Sequence, residues 1–520
     1  MGENFWLCPL RTPRGRFLVS LPPGGEFLQG TPELVGRADG PGFFIPVQEM
    51  VAVKLGAASD VKENLDPSVN ENCFTVFFIQ RKKQECWSLG ALEFTAPPAS
   101  ELAIRWVNAL QIWIHLHGVT RPKSLLVFIN PVGGRKRAVD IYHGQVAPLF
   151  TLAGIYVQVV ETCHASEARD YILQQDLCDF DGLVSVGGDG TFNELMHALI
   201  ERAQQKAGGP KDDFDAELLS PRLRIGIIPA GSTDCVCFAT VGTNDPITSA
   251  LHIIIGDRQP LDVCSIWHNG KILRYSVSLV GYGFYGDVTS VSEKHRWMGP
   301  VRYTYAGAKA VLSNRSYEGT VEFQLARTEE ANPRDQTRCR SGCVVCSESS
   351  KHLLVGSKEE EKQSESERHR EGEWQRVQGR FLAVNLTCIS CACPKSPEGL
   401  SPCAHLADGT ADLILVRECS TLSFLQHLTR HTNCSDQFDL PFVSVYRVRA
   451  LRFTSSKAED CENGEQGRKG FCGGTCQGEP PVSCWTCDGE TLSHADISIR
   501  VHGRLIHLFA RGIEQVPCAS

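Results

Sequence analysis

Three glycine-rich turns, each predicted to follow a β-strand, carry the residues best suited to phosphate chemistry. They occupy residues 130–134 (NPVGG), 187–190 (GGDG) and 229–234 (PAGSTD). Glycine lets backbone N–H groups approach phosphate oxygens, and a helix that begins after such a turn attracts negative charge. One such turn is more often purely structural, but three at the strand ends of one parallel sheet would converge on one crevice. A nucleotide polyphosphate is the natural ligand of that crevice.

Asp189 lies inside the second turn, where a carboxylate would repel phosphate. Its position is understandable if it binds Mg²⁺ or accepts the proton of a substrate hydroxyl. In phosphoryl transfer the protein mainly positions groups and neutralises charge, while one carboxylate orients the nucleophile. The turns match neither the Walker A loop nor the Rossmann G-x-G-x-x-G pattern.

The elements that would position these turns follow from the hydrophobic pattern. Residues 124–256 alternate apolar strand-like runs with helical segments, which predicts a parallel α/β sheet with ligands at the carboxyl ends of its strands. Residues 1–120 read as short strands and then a helix over residues 101–117, which predicts a small antiparallel barrel closed by one helix. Residues 257–520 are again rich in predicted strands, with polar insertions near 328–375 and 455–481.

The composition excludes several classes of protein. A net charge of −8 argues against a nucleic-acid partner. The longest apolar runs fall short of the roughly 18 residues that a membrane span needs. The first residues, MGENFWLCPL, lack a basic segment followed by an apolar one, so we expect no secretory signal and a cytoplasmic location.

Cysteine is unusually frequent, with 23 residues in 520. Without an export signal, reduced thiols or a metal cluster are expected rather than a disulfide framework. Cys339-x₃-Cys343-x₂-Cys346 could bind Zn²⁺ if a fourth ligand joined it, and reduced surface thiols are the alternative. Candidate companions are Cys388, Cys391 and Cys393.

Two basic groups lie in the N-terminal region. They are Arg11, Arg14 and Arg16, and then Arg81, Lys82 and Lys83. They are either solvated loop charges or the basic mouth of a site for anionic lipid headgroups.

The turns resemble a known catalytic domain. VGGDGTFNE and PAGSTD, with FINPVGG upstream, are similar to the diacylglycerol kinase catalytic domain that diacylglycerol, sphingosine and ceramide kinases share. IGIIPAGSTDCVC (225–237), RYSVSLVGYGFYGDV (274–288) and LFARGIE (508–514) resemble the ceramide kinase family most closely. The resemblance covers nearly the whole chain outside the two insertions.

The resemblance implies a fold of α/β plus all-β class. Residues 1–120 would form a pleckstrin-homology-like membrane-targeting barrel, and residues 121–256 a Rossmann-like nucleotide-binding domain of the diacylglycerol kinase type. Residues 257–520 would form a β-rich, sandwich-like lipid-binding domain.

The resemblance also implies roles for single residues. Asp189 would be the general base that takes the proton of the ceramide primary hydroxyl, and Asp287 would lie near the lipid headgroup or serve as a structural carboxylate. Asp488 would bind Mg²⁺. Glu194 and Thr162 would contact the nucleotide, with a helix-dipole partner and an N-cap as their alternatives. The implied nucleotide contacts are Asn130, Pro131, Gly133, Gly134, Thr162, Gly187, Gly188, Gly190, Glu194, Gly231, Ser232, Arg296, Arg302, Asp488, Gly489 and Glu490, and the GGDG turn (Gly187, Gly188, Asp189 and Gly190) would also face the substrate.

These features together imply an ATP- and Mg²⁺-dependent lipid kinase that makes ceramide 1-phosphate, with Ca²⁺ as a stimulator. Anionic lipids such as phosphoinositides would bind the N-terminal domain at Golgi and plasma membranes. Residues 422–437 resemble the family's proposed calmodulin-binding segment, although the pattern alone predicts an ordinary half-buried helix. Asp408 and Asp412 would form a structural loop or a second ion site. The alternatives are a sphingosine or diacylglycerol kinase and a non-catalytic lipid-binding adaptor.

Overall fold

The computed structural model describes residues 6–33, 41–59, 72–82, 85–98, 100–134, 136–208, 213–299, 301–326, 333–334, 337–355, 374–431, 436–456 and 482–515. Most of the two predicted polar insertions lies outside these residues. Within the described residues, no helix has both the length and the apolar character that crossing a bilayer requires.

The N-terminal region is one antiparallel sheet of seven strands in the order β4-β3-β2-β1-β7-β6-β5, packed against a helix. Trp106 of that helix is buried and stacks on Phe74 with 6.4 Å between ring centroids. Because Ala103, Val107 and Leu110 recur at helical spacing, they bury the same face of the helix. This confirms the predicted barrel closed by one helix. The elements are β1 (Trp6–Thr12), β2 (Gly15–Leu21), β3 (Phe27–Pro32), β4 (Phe43–Pro46), a 3₁₀ turn (Val47–Glu49), β5 (Met50–Leu55), β6 (Cys73–Arg81), β7 (Trp87–Thr95) and α1 (Leu102–His117).

The second region contains four parallel strands in the order β9-β8-β10-β11. Every residue of β10 is buried, as expected for a strand that helices cover on both faces. The order reverses between β8 and β10, so a crevice opens beyond their carboxyl ends. The elements are β8 (Ser124–Ile129), α2 (Ala138–Ile141), a π turn (Tyr142–Val146), α3 (Ala147–Leu152), β9 (Tyr156–Glu161), α4 (Glu167–Gln174), β10 (Gly182–Gly187), α5 (Asp189–Lys206), β11 (Arg224–Pro229), α6 (Cys235–Val241) and α7 (Pro246–Ile255).

The remaining strands pair antiparallel, and they belong to one continuous sheet with the parallel strands because β21 pairs with β11. The sheet curls on itself, since β15, β16, β17 and β18 pair in a closed ring. The elements are β12 (Arg258–His268), β13 (Lys271–Ser276), β14 (Leu279–Gly283), α8 (Phe284–Lys294), a 3₁₀ turn (Arg296–Met298), α9 (Val301–Ser313), β15 (Tyr317–Leu325), α10 (Val344–Val355), β16 (Trp374–Thr387), β17 (Ala411–Arg417), α11 (Thr421–Arg430), β18 (Val443–Ser455), β19 (Trp485–Cys487), β20 (Glu490–Leu492) and β21 (Ile497–Phe509).

The short hairpin of β19 and β20 carries Asp488 and Gly489 at its turn. It pairs with β14, where Val280 faces Cys487, and the Asp488 N–H donates to the Leu279 carbonyl at 2.9 Å. The β-rich region thus folds back and returns its C-terminal hairpin to the neighbourhood of the parallel sheet.

Asp408 and Asp412 lie away from the crevice, in the loop before β17 and at the start of that strand, respectively. The Asp412 carboxylate accepts a hydrogen bond from Arg447 at 2.9 Å, and both side chains are almost fully buried. Asp408 accepts hydrogen bonds from the Thr410 amide and hydroxyl. These contacts are those of a structural loop.

Candidate active site

The three glycine-rich turns meet at their backbones. A Cβ atom added to Gly231 would lie 2.5 Å from the Gly188 Cα, and one added to Gly134 would lie 2.7 Å from the Gly231 Cα. Contacts this short leave no room for any side chain, so the turns need glycine where they touch. Gly134 also has a φ of +55°, in the left-handed region that favours glycine. The predicted convergence of the three turns is therefore present in the fold.

A cavity of about 920 Å³ opens at this meeting point. Its wall includes the three turns, the start of α5, the region around α8 and α9, and the β19–β20 hairpin. The predicted site residues that line it are Gly134, Gly188, Asp189, Gly190, Gly231, Ser232, Arg296, Arg302, Asp488, Gly489 and Glu490. The remaining predicted residues, which do not line it, are Asn130, Pro131, Gly133, Thr162, Gly187, Glu194 and Asp287.

Asp189 is the first residue of α5, and its carboxylate points to the start of α6. Its Oδ2 accepts from the Cys235 N–H and its Oδ1 from the Val236 N–H, each at 3.0 Å. Burial raises the pKa of the Asp189 carboxyl above its ordinary value, although the two amides act in the opposite direction. A carboxylate offers about four lone-pair sites, so Asp189 retains capacity to accept a hydroxyl proton. A raised pKa makes such a carboxylate a stronger base.

Asp488 also lines the cavity and holds the turn that precedes β14. Its Oδ1 accepts from the Ser276 hydroxyl at 2.7 Å and from the amides of Ser278 and Leu279, and its Oδ2 accepts from the Val277 N–H. Burial raises its pKa despite these four donors. The carboxylate thus fixes the wall of the cavity.

This hydrogen bonding does not support Asp488 as a direct Mg²⁺ ligand. Four donors use nearly all of its lone-pair sites, and Mg²⁺ requires near-ideal octahedral geometry from oxygens that are free to coordinate. Protein donors also engage three other carboxylates that line the cavity, those of Asp234, Glu293 and Glu490. We therefore assign no step of the chemistry to a protein-held metal.

Arg296 and Arg302 reach the cavity from the 3₁₀ turn after α8 and from the first turn of α9. Glu293 pairs with both, since it accepts from the Arg296 guanidinium and lies 3.8 Å from Arg302 Nη2. The hydrogen bond to Glu293 raises the pKa of Arg296. The Arg302 side chain is only 19% exposed and also donates to the Tyr303 hydroxyl. Two guanidinium groups at one wall suit an anionic group such as a transferred phosphoryl.

Glu490 lines the cavity beside Asp488 and forms an ion pair with Arg274 at 2.6 Å. Arg274 lies on β13, so this pair ties the hairpin to a neighbouring strand. Arg274, Glu293 and Asp234 are the charged site partners that sequence reasoning missed. For Glu293, the spacing of three residues from Arg296 on a helical segment was the available signal.

Two predicted site residues, Asn130 and Thr162, hold the backbone of the first glycine-rich turn. The Asn130 side chain accepts from the Gly133 N–H at 2.9 Å and donates to the Thr191 hydroxyl at 3.3 Å. The Thr162 hydroxyl donates to the Ile129 carbonyl at the end of β8. These contacts hold the first turn in place without facing the cavity.

Glu194 and Asp287 are engaged elsewhere. Glu194 accepts from the Arg169 N–H in the first turn of α4, so it stabilises the start of a neighbouring helix. Asp287 accepts from the Tyr317 hydroxyl at 2.5 Å and the Ser483 hydroxyl at 2.8 Å. For Asp287, this is the structural alternative considered above.

The two predicted basic groups of the N-terminal region differ in their surroundings. Arg11 lies directly opposite Arg16 across the β1–β2 pair, with Arg14 in the turn between them, and all three are exposed. Arg81 instead forms ion pairs with Glu49 and Glu514 at 2.6 and 2.8 Å. It therefore fastens the N-terminal sheet to the C-terminal segment and does not join a basic mouth. Lys83 lies outside the described residues.

The segment that resembles a calmodulin-binding sequence contains α11. Phe424 and His427 of this helix are buried, and the Phe424 ring packs edge-on against Phe284 with 5.0 Å between centroids. Leu428, next along the same helix, lines the cavity. The described part of the segment is a half-buried helix, and residues 432–435 lie outside the description.

Three family models match successive parts of the chain. Residues 29–110 match the ceramide kinase PH domain, residues 124–266 the diacylglycerol kinase catalytic domain, and residues 279–519 the ceramide kinase C-terminal domain. The chain is 45% identical to the ceramide kinase of Homo sapiens over 519 residues, which cover 96% of this chain and 95% of the relative. The chain belongs to the ceramide kinase family.

Other members of the ceramide kinase family match over most of their length. The Mus musculus ceramide kinase is 48% identical over 86% of this chain and 85% of its own length. The Oryza sativa ceramide kinase is 30% identical over 79% of this chain and 80% of its own length. The glycine-rich turns lie in the part that matches the catalytic model, and the β19–β20 hairpin lies in the part that matches the C-terminal model. In this ceramide kinase family member, two matched regions thus build one cavity.

Proposed function

We propose that the protein transfers the γ-phosphate of ATP to the primary hydroxyl of ceramide and so makes ceramide 1-phosphate. The observation that carries the proposal is the position of Asp189 in a cavity walled by three touching glycine-rich turns and by two arginines. That cavity occurs in a chain of the ceramide kinase family.

Each part of the cavity has a role in the proposed reaction. The turns at Gly134, Gly188 and Gly231 admit the polyphosphate close to the backbone. Asp189 orients the lipid hydroxyl and takes its proton as the oxygen attacks the γ-phosphorus and the bond to the β-phosphate oxygen breaks. Arg302 and Arg296 stabilise the charge on the transferred group. Asp488 keeps the facing wall in position through its four hydrogen bonds.

An exposed apolar surface beside the arginines suits the arrival of a lipid. Trp297 is 81% exposed between the two arginines in sequence, and Val301, Tyr305 and Leu312 are exposed along α9. Leu422 is exposed on α11, which packs against α9. Because apolar side chains of this size favour the membrane interface, we propose that this face meets the bilayer and that ceramide enters here.

The β1–β2 hairpin supports a second contact with membranes. Two arginines directly opposite each other on a strand pair repel, and an anionic headgroup between them would remove that cost. We therefore propose that Arg11, Arg14 and Arg16 bind anionic lipids such as phosphoinositides, at the Golgi or plasma membrane. We do not extend the proposal to calmodulin, because Phe424 of the helix that resembles a calmodulin-binding segment is buried. We also propose that the three domains of the chain meet near residues 120 and 256.

A lipid panel tests the proposal. The full chain is assayed with Mg-ATP against ceramide, sphingosine and diacylglycerol in matched mixed micelles. We expect ceramide 1-phosphate as the main product. A higher kcat/KM for either other lipid would move the assignment to that lipid, and no product together with no ATP binding would favour a non-catalytic adaptor.

A flotation assay tests the membrane contact separately. Binding to vesicles that contain phosphatidylinositol 4,5-bisphosphate should weaken at least tenfold in a variant with Arg11, Arg14 and Arg16 changed to alanine. The same variant should keep its kcat in detergent micelles. Unchanged vesicle binding would contradict the proposed role of the hairpin.

A further inference from the structure

A cluster of three cysteines and one histidine lies outside the cavity. Cys339, Cys343 and Cys346 come from the segment after β15, and His405 comes from the loop before β17. One ligand atom from each residue can be chosen so that all four lie within 4.8 Å of one another. The sequence supplied the three thiols, whereas the predicted companions Cys388, Cys391 and Cys393 are not in the cluster.

We propose that these four residues bind one structural Zn²⁺ ion. Cys₃His is a common ligand set for tetrahedral structural zinc sites. With four protein ligands the coordination is complete, so the ion would hold two segments together and would leave no open position for chemistry.

The distances agree with tetrahedral coordination. Zn–S bonds of about 2.3 Å and a Zn–N bond of about 2.05 Å imply S–S separations of about 3.8 Å and S–N separations of about 3.6 Å. Cys339 Sγ lies 3.6 Å from Cys346 Sγ, and Cys343 Sγ lies 3.4 Å from His405 Nδ1. A disulfide between Cys339 and Cys346 would require an S–S distance of about 2.05 Å, and both cysteines have free thiols here.

The histidine is presented by a loop that is held firmly. The Asp262 N–H donates to the Leu406 carbonyl at 2.8 Å, and Arg447 donates to the Cys403 carbonyl at 2.7 Å. The Leu406 N–H in turn points at Cys339 Sγ at 3.5 Å. Hydrogen bonds of this kind orient the side chains that bind a metal. His405 itself is 2% exposed.

The segment that carries the three cysteines forms ion pairs with two other parts of the chain, so an ion bound there would have a structural role. Arg338 pairs with Glu398, in the loop whose neighbour Leu400 lines the cavity. Arg340 pairs with Glu85 of the N-terminal sheet region. Zinc would therefore fix the segment that connects the N-terminal sheet to a wall of the cavity.

Metal analysis of the full chain tests the proposal. Protein purified without chelators should contain about one zinc per chain by plasma mass spectrometry. His405→Ala should lose most of the zinc, whereas His405→Cys should retain it as a Cys₄ site. His405 Nε2 has no hydrogen-bond partner in the described structure, so the cysteine exchange breaks no hydrogen bond at that atom. Cys163→Ser, at an exposed thiol outside the cluster, is the matched control and should keep its zinc.

Two further measurements distinguish the loss of a zinc site from the misfolding of a variant. A zinc chelator should lower the Tm of the unmodified chain, and Zn²⁺ but not Mg²⁺ should restore it. Cobalt-substituted protein should show a sulfur-to-cobalt charge-transfer band that changes in His405→Cys. Absence of zinc from the unmodified chain, zinc retained in His405→Ala, or a Cys339–Cys346 disulfide in the unmodified chain as purified would overturn the proposal.

Discussion

Changing Asp189 to asparagine separates a catalytic role from a structural one. The two backbone N–H groups of Cys235 and Val236 each donate to a different carboxylate oxygen at 3.0 Å. The asparagine amide can accept only one of them, and its NH₂ group then faces the other N–H. An unsatisfied buried donor costs about 1–3 kcal/mol of stability.

The expected kinetic effect is larger than this structural cost. Loss of a positioned base lowers kcat by about 10²–10⁴-fold, which corresponds to about 2.7–5.5 kcal/mol in the barrier. We expect Asp189→Asn to show this loss in ceramide phosphorylation with little change in the Kd for ATP. A coupled assay for product and isothermal titration with ATP measure the two quantities on the same preparation.

Asp245→Asn is the matched control. Asp245 caps α7 by accepting from the Thr248 N–H at 2.8 Å, and it does not line the cavity. The same chemical exchange should cost little stability there, because asparagine caps a helix about as well as aspartate, and it should leave kcat unchanged. If Asp189→Asn keeps more than about a tenth of the kcat, or if Asp245→Asn loses as much activity, the assignment of the base is wrong.

The pH dependence gives a second test of Asp189. Burial raises its pKa in the folded state above the unfolded value. The stability that follows from this shift is fully present below the unfolded pKa and is lost as the pH rises through the folded pKa. Asp189→Asn should lack that loss, so thermal denaturation at a series of pH values should show a different slope in this range. The acid limb of kcat/KM should also lie above the usual range of an aspartate.

Three further changes probe the walls of the cavity and the loop behind it. Gly231→Ala places a Cβ 2.5 Å from a backbone Cα, so we expect at least tenfold weaker ATP binding by titration, whereas Gly144→Ala, whose Cβ meets nothing within 4 Å, should bind normally. Asp412→Ala removes the carboxylate of a buried ion pair with Arg447 and should cost about 3–5 kcal/mol in urea denaturation, whereas Glu418→Ala removes one member of an exposed pair and should cost about 0–1 kcal/mol. Asp488→Asn should lower the Tm without changing the Mg²⁺ concentration that gives half-maximal activity, and a shift in that concentration would restore the metal-ligand role.

The sequence was sufficient to predict that the three glycine-rich turns lie close together. Parallel strands end at the same edge of a sheet, so turns that follow β8, β10 and β11 must approach one another. The closing helix at Leu102–His117 was also accessible, because its buried residues recur at helical spacing. Local pattern determines such features, and the structure places them where the pattern predicts.

The partners of the charged side chains could not be predicted from the sequence in this way. Arg81 finds Glu514 across 433 residues, and Asp488 finds the amides of Val277 and Leu279 across more than 200. Such contacts depend on which loops the curled sheet brings together, and no periodicity in the chain encodes them. The family resemblance implied an Mg²⁺ ligand at Asp488, and only the tertiary structure shows that its carboxylate accepts four hydrogen bonds from one turn.

The cysteine cluster shows both contributions. The sequence by itself determined a three-thiol spacing of the kind that binds zinc, and it determined a phosphate crevice around Asp189, because both depend on residues close together in the chain. Only the tertiary structure supplied His405 as a fourth ligand, and it shows how the β19–β20 hairpin, which the resemblance had implied at the site, forms a wall of the crevice. The physical reason is that these groups come from distant segments, and the pairing of β21 with β11 and β12 brings those segments together.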